Sequence, residues 1–239
     1  VNRQKGIFMK TIGMIGGMSW ESTVTYYQTA NTVIKEQLGG LHSAKVLLCS
    51  VDFHEIERCQ SDGDWEKSAA ILTQAAKSLE RGGADFIVIC TNTMHRVAPQ
   101  VQENINIPIL HIAQATARRL KQRNIKRAAL LGTIYTMEQD FYKDILIQEG
   151  IEVLTPQGKD AQLVNRVIYS ELCLGVVSER SKREYLRIIG SLAQKGAQGV
   201  ILGCTEIGLL IRQEDTPLPV FDTARIHAEQ AALHAAGKA

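Results

Sequence analysis

"SLERGGADFIVICTNTMH" (residues 78–95) and "SLAQKGAQGVILGCTEIG" (191–208) align without a gap at an offset of 113 residues. Each reads as a helix end, a Gly-Ala turn, a short apolar strand and a small polar turn. Ser78 falls on Ser191, and Gly83-Ala84 falls on Gly196-Ala197. Two more pairs keep nearly the same spacing. "KTIGMIGGMS" (10–19) lies over "KRAALLGTIY" (126–135) at 116, and "PILHIA" (108–113) lies over "PVFDTA" (219–224) at 111. Three matches in chain order at nearly one offset imply a duplicated α/β domain. At 113, Thr91 falls on Cys204 and Cys90 on Gly203. Successive strand residues point to opposite faces, so Cys90 and Thr91 share one face only if the strand has already ended. Cys90 is therefore expected to be a packed thiol.

Around these repeats, short apolar segments alternate with amphipathic ones. "KTIGMIGG" (10–17), "AKVLLCSVDF" (44–53), "ADFIVIC" (84–90) and "IPILHI" (107–112) read as strands of the first half. "KRAALLG" (126–132), "IEVLTP" (151–156), "GVILG" (199–203) and "LPVFD" (218–222) are their counterparts in the second. Helical spacing fills the gaps, including "SWESTVTYYQTANTVIKEQL", "WEKSAAILTQAAKSLERG", "TMEQDFYKDILIQEG", "LVNRVIYSELCLG" and "SKREYLRIIGSLAQKG". The fold class is thus α/β, two similar doubly wound domains with parallel sheets covered by helices. The first domain is expected over 9–117 plus a C-terminal helix at 225–237, and the second over 118–224. "VNRQKGIF" (1–8) reads as a leader or tag.

Composition narrows the function classes. The chain has 239 residues, 45% of them hydrophobic, and its 27 Lys/Arg against 25 Asp/Glu give a net charge of +2. No basic stripe suggests nucleic acid, and no apolar run approaches the ~20 residues of a membrane span. With no secretory pattern, cytoplasmic localisation is expected. The five cysteines (49, 59, 90, 173, 204) contain no C-x-x-C, so reduced thiols are expected rather than a disulfide framework. The six histidines do not fall at metal-ligand spacings, so no metal is expected.

Four strand ends carry small polar residues: "GGMSWES" (16–22), "CTNTMH" (90–95), "GTIYTM" (132–137) and "GCTEIG" (203–208). Ligands of parallel sheets gather at such ends, and a helix beginning there offers unpaired N–H groups to an anion. Ser19, Thr93 or Thr136 suit helix caps. The Gly16-Gly17 pair fits neither G-x-G-x-x-G nor a P-loop. A small ligand bearing carboxylates suits these ends better than a nucleotide. Cys204 is the sharpest reactive candidate, because a helix N-terminus lowers a thiol pKa from its usual ~8.5. The alternative is a buried structural thiol.

"IGMIGGMSWEST", "CTNTMH" and "GCTEIGLLI" together resemble the aspartate/glutamate racemase superfamily. The likeness is greatest to its enterobacterial broad-specificity or L-aspartate/glutamate-specific amino-acid racemase branch, and runs from about Met9 to His234. It implies two α/β domains related by a pseudo-two-fold, with the active site in the cleft between them. A homodimer is implied, with a small amino-acid substrate, no cofactor (neither pyridoxal phosphate nor metal), and no nucleic-acid or membrane partner. In the family, two cysteines on opposite sides of the substrate Cα exchange its proton. Racemisation removes a weakly acidic proton from one face and returns one to the other, which two opposed groups accomplish without crossing the substrate.

Position by position, Cys204 matches the second cysteine. The first opens a C-N-T-x-H motif that reads Thr91-Asn92-Thr93-Met94-His95 here, so threonine replaces it. A threonine hydroxyl donates a proton more readily than it removes one. The resemblance thus makes Cys204 the thiolate base for L-substrate and Thr91 the donor on the opposite face, with a slow reverse direction. It also places Met18, Gln60, Asn92, Thr93, Thr133, Thr205 and Glu206 around the ligand. Asn92, Thr93 and Thr205 would hold the α-carboxylate and Glu206 the ammonium. Gln60, together with Lys159 or Arg166, would meet the distal carboxylate. His95 would orient the loop, while His54 and His111 read as strand-end or core-edge residues. Two other readings remain open: a single-cysteine decarboxylase or isomerase of the same superfamily, and a non-catalytic amino-acid-binding protein.

Overall fold

The computed structural model describes residues 9–238, so the leader or tag expected at 1–8 lies outside the described residues. The chain packs as two compact units. The first runs to Cys90, resumes over Val97–His111 and takes the C-terminal helix from His227. The second comprises Thr91–Arg96 and Ile112–Ile226.

In the first unit, β1 (Ile12–Gly16), α1 (Trp20–Leu38), β2 (Val46–Ser50), α2 (Phe53–Asp62), α3 (Trp65–Arg81), β3 (Phe86–Ile89) and α4 (Ala98–Gln102) follow in order. The strands pair in parallel as β2-β1-β3. The helices start at polar caps: Ser19 Oγ accepts from Ser22 N, Asp52 from His54 N and Asp64 from Lys67 N. Cys90 is fully buried just past β3, and burial pushes its thiol pKa up, in keeping with a packing role.

The second unit contains α5 (Ile112–Gln122), β4 (Arg127–Gly132), α6 (Ile134–Glu138), α7 (Asp140–Gln148), β5 (Glu152–Leu154), α8 (Lys159–Ser170), α9 (Glu179–Gln194), β6 (Val200–Gly203), α10 (Ile207–Leu210) and β7 (Val220–Asp222). Helix α11 (Thr223–Ala235) follows and passes into the first unit's residues at His227. The sheet order is β5-β4-β6-β7, all parallel. The expected changeover at 117/118 falls inside α5, whereas the packing changes over just before that helix.

The repeat survives at the level of register. Met14↔Val88 and Ile15↔Ile89 in one sheet become Leu130↔Ile201 and Leu131↔Leu202 in the other, at the offsets of the sequence match. Gly83 and Gly196 both hold positive φ, 92° and 96°, a conformation that a side chain disfavours. "IPILHI" departs from expectation: it contributes one parallel bridge, Ile87↔Ile109, because α5 already begins at Ile112. That bridge is still the counterpart of the Val200↔Val220 pair. The single helix expected over "TMEQDFYKDILIQEG" is broken at Gln139, whose ψ of 154° is extended.

In the second unit, side chains alternate across the sheet. Ala129, Leu131, Val200 and Leu202 pack with Val164, Tyr185 and Leu192, on the side of α8 and α9. Ala128, Leu130 and Ile201 pack with Ile112, Leu120 and Tyr142, on the side of α5 and α7. No helix among the described residues is long and apolar enough to cross a membrane.

Candidate active site

β4 and β6 are neighbours that end on the paired glycines Gly132↔Gly203, so Thr133 and Cys204 leave adjacent strands at one level. Cys204 continues the parity of Val200 and Leu202 and joins their core cluster, 9% exposed. Gly203 permits this approach. A Cβ there would stand 2.7 Å from Leu130 Cδ1 and 3.0 Å from the Leu131 carbonyl oxygen.

The turn Thr91–Arg96 packs with this sheet. Asn92 Nδ2 donates to Thr223 Oγ1 at 2.9 Å, past the end of β7. Thr93 Oγ1 lies 3.1 Å from Thr133 Oγ1, past the end of β4. The strand between β4 and β7 is β6, so the turn carrying Thr91 spans the strand end that carries Cys204. His95 fixes the turn. Its Nδ1 donates to the Thr91 carbonyl at 2.8 Å and its Nε2 accepts from Ile112 N at 3.2 Å, which sets a neutral tautomer.

The polar inventory of the turn decides what each group offers. Thr223 spends its single O–H on the Leu202 carbonyl at 2.8 Å, so it only accepts from Asn92. The Asn92 amide nitrogen must therefore face Thr223, which leaves Oδ1 buried with no hydrogen-bond partner among the described residues. That oxygen is an acceptor, which an N–H or O–H donor would satisfy and a carboxylate would not. Thr93, Thr133 and Thr136 form a chain of three hydroxyls joined by two contacts, 3.1 and 3.2 Å. Two protons serve those contacts, and they leave a third O–H unused.

Around Cys204 the electrostatics run against expectation. Its Sγ donates to Glu206 Oε2 at 3.0 Å, and Thr205 Oγ1 donates to the same oxygen at 2.7 Å. Burial first, then the Glu206 charge, hold the thiol pKa well above its ordinary value. The expected lowering by a helix N-terminus fails because α10 has only four residues, too few aligned peptides for a useful dipole. The helices expected at two other strand ends are also short. A five-residue 3-10 segment (Thr93–Val97) follows the turn at Thr91, and the five-residue α6 follows β4. Only α1 is long, and Ser19 caps it as expected. The cap of α6 is Thr133, with Thr136 N as its donor at 3.4 Å, rather than Thr136 itself.

Met18 is buried between β1 and α1, and Gln60 is buried on α2, both in the first unit. Lys159 is exposed at the start of α8. Arg166 is exposed on α8, beside a cavity shared with Arg180, Glu171 and Glu184. Two supporting residues were missed by the sequence reading, Thr223 and Asn165. Asn165 Oδ1 accepts from Ile134 N at 2.8 Å, and so ties α8 to the turn after β4. Thr223 had a readable signal, since it is the small polar residue following "PVFD" as Cys204 follows "VILG". Among the described residues, no group of three or more His, Cys, Asp or Glu could hold a metal ion.

The chain and its fold have counterparts among known proteins. The family model described as Asp/Glu/Hydantoin racemase matches residues 15–231. A crystal structure from Yersinia pestis, assigned to the Asp/Glu racemases, is 55% identical with a TM-score of 0.89, covering 95% of this chain and 99% of that one. An aspartate racemase homologue from Pyrococcus horikoshii is 37% identical with a TM-score of 0.82, again covering 95% and 99%. The broad specificity amino-acid racemase RacX of Bacillus subtilis is 24% identical over 224 residues, covering 89% of this chain and 92% of that protein.

Proposed function

The chain belongs to the Asp/Glu/hydantoin racemase family, and from that premise we propose that it racemises L-aspartate and L-glutamate without pyridoxal phosphate or metal. The observation that carries this reading is the unspent acceptor of Asn92 beside the hydroxyl chain of Thr93, Thr133 and Thr136. In this reading they offer an ammonium acceptor and a carboxylate donor, Asn92 and Thr93 from one turn and Thr133 and Thr136 from the end of β4, as an α-amino acid requires.

In this reading Cys204, as thiolate, takes the Cα proton of the L-substrate: the C–H bond breaks and S–H forms. The carbanion-like state, held by its fixed carboxylate and ammonium partners, takes a proton from the Thr91 hydroxyl on the opposite face. Thr91 is half-buried, which supports its drawing a replacement proton from water as it gives up its own. The expected slow reverse direction is corrected by thermodynamics. Enantiomers are isoenergetic, so kcat/KM must be equal both ways, and asymmetry between thiol and hydroxyl is confined to kcat and KM taken separately. A homodimer and a cytoplasmic location belong to the same proposal, the dimer being supported by an exposed stripe on α1, Trp20, Val24 and Tyr27.

The test is incubation with L-Asp and L-Glu in deuterated water, followed by chiral chromatography and mass analysis. Deuterated D-product that disappears in Cys204→Ala, while ligand binding persists, is the expected result. Turnover of malonates alone would make it a single-cysteine decarboxylase. Binding without Cα exchange in the unaltered protein would make it a binding module.

A further inference from the structure

We propose that Asn165 reads the substrate's side chain: its amide nitrogen donates to the distal carboxylate of an acidic amino acid bound over the ends of β4 and β6. This inference rests on the racemase reading and names a residue that sets its substrate class.

The assignment starts from one bond. Ile134 N–H donates to Asn165 Oδ1 at 2.8 Å. An amide nitrogen cannot accept from an N–H, so this contact fixes which way round the Asn165 amide stands. Nδ2 is left with both protons unspent, since it makes no hydrogen bond among the described residues. It is not sealed in either. Asn165 is half-buried, and Nδ2 is not one of the enclosed side-chain atoms that lack a partner, as Asn92 Oδ1 is. The oxygen and nitrogen of an amide lie roughly 2.2 Å apart, which keeps Nδ2 within about 5 Å of Ile134 N. Ile134 follows Thr133, which leaves β4 level with Cys204 on β6. Asn165 thus brings an unused donor beside the strand end that carries the hydroxyls of Thr93, Thr133 and Thr136.

Helix geometry explains why Asn165 holds this place and its neighbour does not. Ala161, Val164, Val167 and Ile168 form the buried face of α8, packed with Ala129 and Leu131 of β4. Successive helical residues turn by about 100°. Asn165 therefore lies at the edge of that face, where it meets the turn after β4, and Arg166 lies opposite the face, exposed. What α8 offers the strand end is a fixed neutral donor, not a mobile cation. In the racemase reading the hydroxyls hold the α-carboxylate, so the donor on α8 is left for a second acceptor. The distal carboxylate of aspartate or glutamate supplies one. A side chain ending in a methyl group gains nothing from Nδ2.

The test is calorimetric titration of the full-length protein with L-aspartate and with L-2-aminobutyrate, whose side chain ends in methyl. The Cys204→Ala background keeps either ligand from being turned over. The ratio of the two dissociation constants is the readout, because a merely structural role would weaken both ligands alike and leave it unmoved. Asn165→Asp keeps the oxygen that accepts from Ile134 N–H but removes the donor. It should lower the preference for L-aspartate by ~10–100-fold. Asn165→Ser removes the nitrogen without adding charge and should lower it at least about tenfold, which also covers a failure of the first variant to fold. An unchanged ratio in the folded variants overturns the proposal, as does a protein with intact Asn165 that binds L-aspartate no tighter than L-2-aminobutyrate. D-Aspartate production with an unchanged ratio would sink the role of Asn165 alone. A lowered ratio in a chain that makes no D-product would sink the racemase reading alone.

Discussion

Thr223→Val tests the hydrogen-bond relay that anchors the turn above β6. The substitution preserves volume but removes the only atom that both accepts from Asn92 Nδ2 and donates to the Leu202 carbonyl. Thr223 is fully buried, so water does not replace it. Losing the bond to Leu202 costs about 1 kcal/mol net, and leaving Asn92 Nδ2 buried without a partner costs about 1–3 kcal/mol more. The sum of about 2–4 kcal/mol corresponds to a Tm lowered by roughly 5–15 °C for a chain of this size. Thr223→Ser is the counterpart, since it keeps the hydroxyl and loses one methyl group, for about 1 kcal/mol. Thermal denaturation by circular dichroism ranks the three proteins. The reasoning requires wild type above Ser and Ser above Val. It also requires kcat/KM for L-Asp to fall at least about tenfold in Val, because the amide that presents Oδ1 is no longer held. A Val variant as stable as Ser, or one with full activity, would refute the relay.

Three more outcomes follow from the same structure. His227 is fully buried, accepting from the Tyr26 hydroxyl and donating to the Leu110 carbonyl, and burial lowers its pKa to about 3. Its folded pKa lies below the unfolded ~6.5, so the unfolded chain binds the extra proton. The neutral pairing contributes fully above about pH 6.5 and is lost as pH falls toward 3, up to about 4–5 kcal/mol in all. His111, lowered to about 4, acts in the same direction. Denaturant melts between pH 4 and 7 should show a shallower pH slope in His227→Gln. Gly203→Ala forces a Cβ against the Leu131 carbonyl, and should cost about 1–3 kcal/mol and most of the activity by displacing Cys204. His95→Leu leaves the Thr91 carbonyl and Ile112 N–H unpaired, and should cost about 2–4 kcal/mol in chemical denaturation.

Much of this architecture was legible in the residues because it rests on local periodicity. The Gly-Ala turns at 83–84 and 196–197 and the apolar runs after them set two strands, and their offset carried through to matching ladder registers. What escaped notice depends on groups distant in sequence or on near-degenerate local choices. The break at Gln139 interrupts an otherwise helical pattern that contains no proline or glycine to mark it. "IPILHI" is apolar enough for a strand, yet the helix starting at Ile112 leaves room for a single bridge. The protonation of Cys204 depends on burial among β6, α8 and α9 side chains and on the rotamer of Glu206, neither of which spacing reveals. Asn92 shows the limit best. Its amide could face Thr223 either way by type, and only the direction of the Thr223 hydroxyl, set by the Leu202 carbonyl, fixes Nδ2 as the donor and leaves Oδ1 without a partner.

The bond from Asn92 to Thr223 closes a loop of 131 residues, and the one from Thr93 to Thr133 closes a loop of 40. The first of these exceeds the 71 residues between Ala129 and Val200 and the 74 between Ile12 and Phe86, so the Asn92 anchor closes more slowly than the sheets' parallel pairs. During folding, the two sheets should acquire their ladders before the turn between β3 and α4 finds its anchors. Catalytic competence should therefore appear as a late kinetic phase, after the far-ultraviolet signal has returned. The same lag has a genetic counterpart. A gene fragment encoding only residues 112–226 would carry Cys204 and Glu206 without the segment that crosses their strand end, so splitting the chain between its repeats would leave neither product with a complete set of reactive groups.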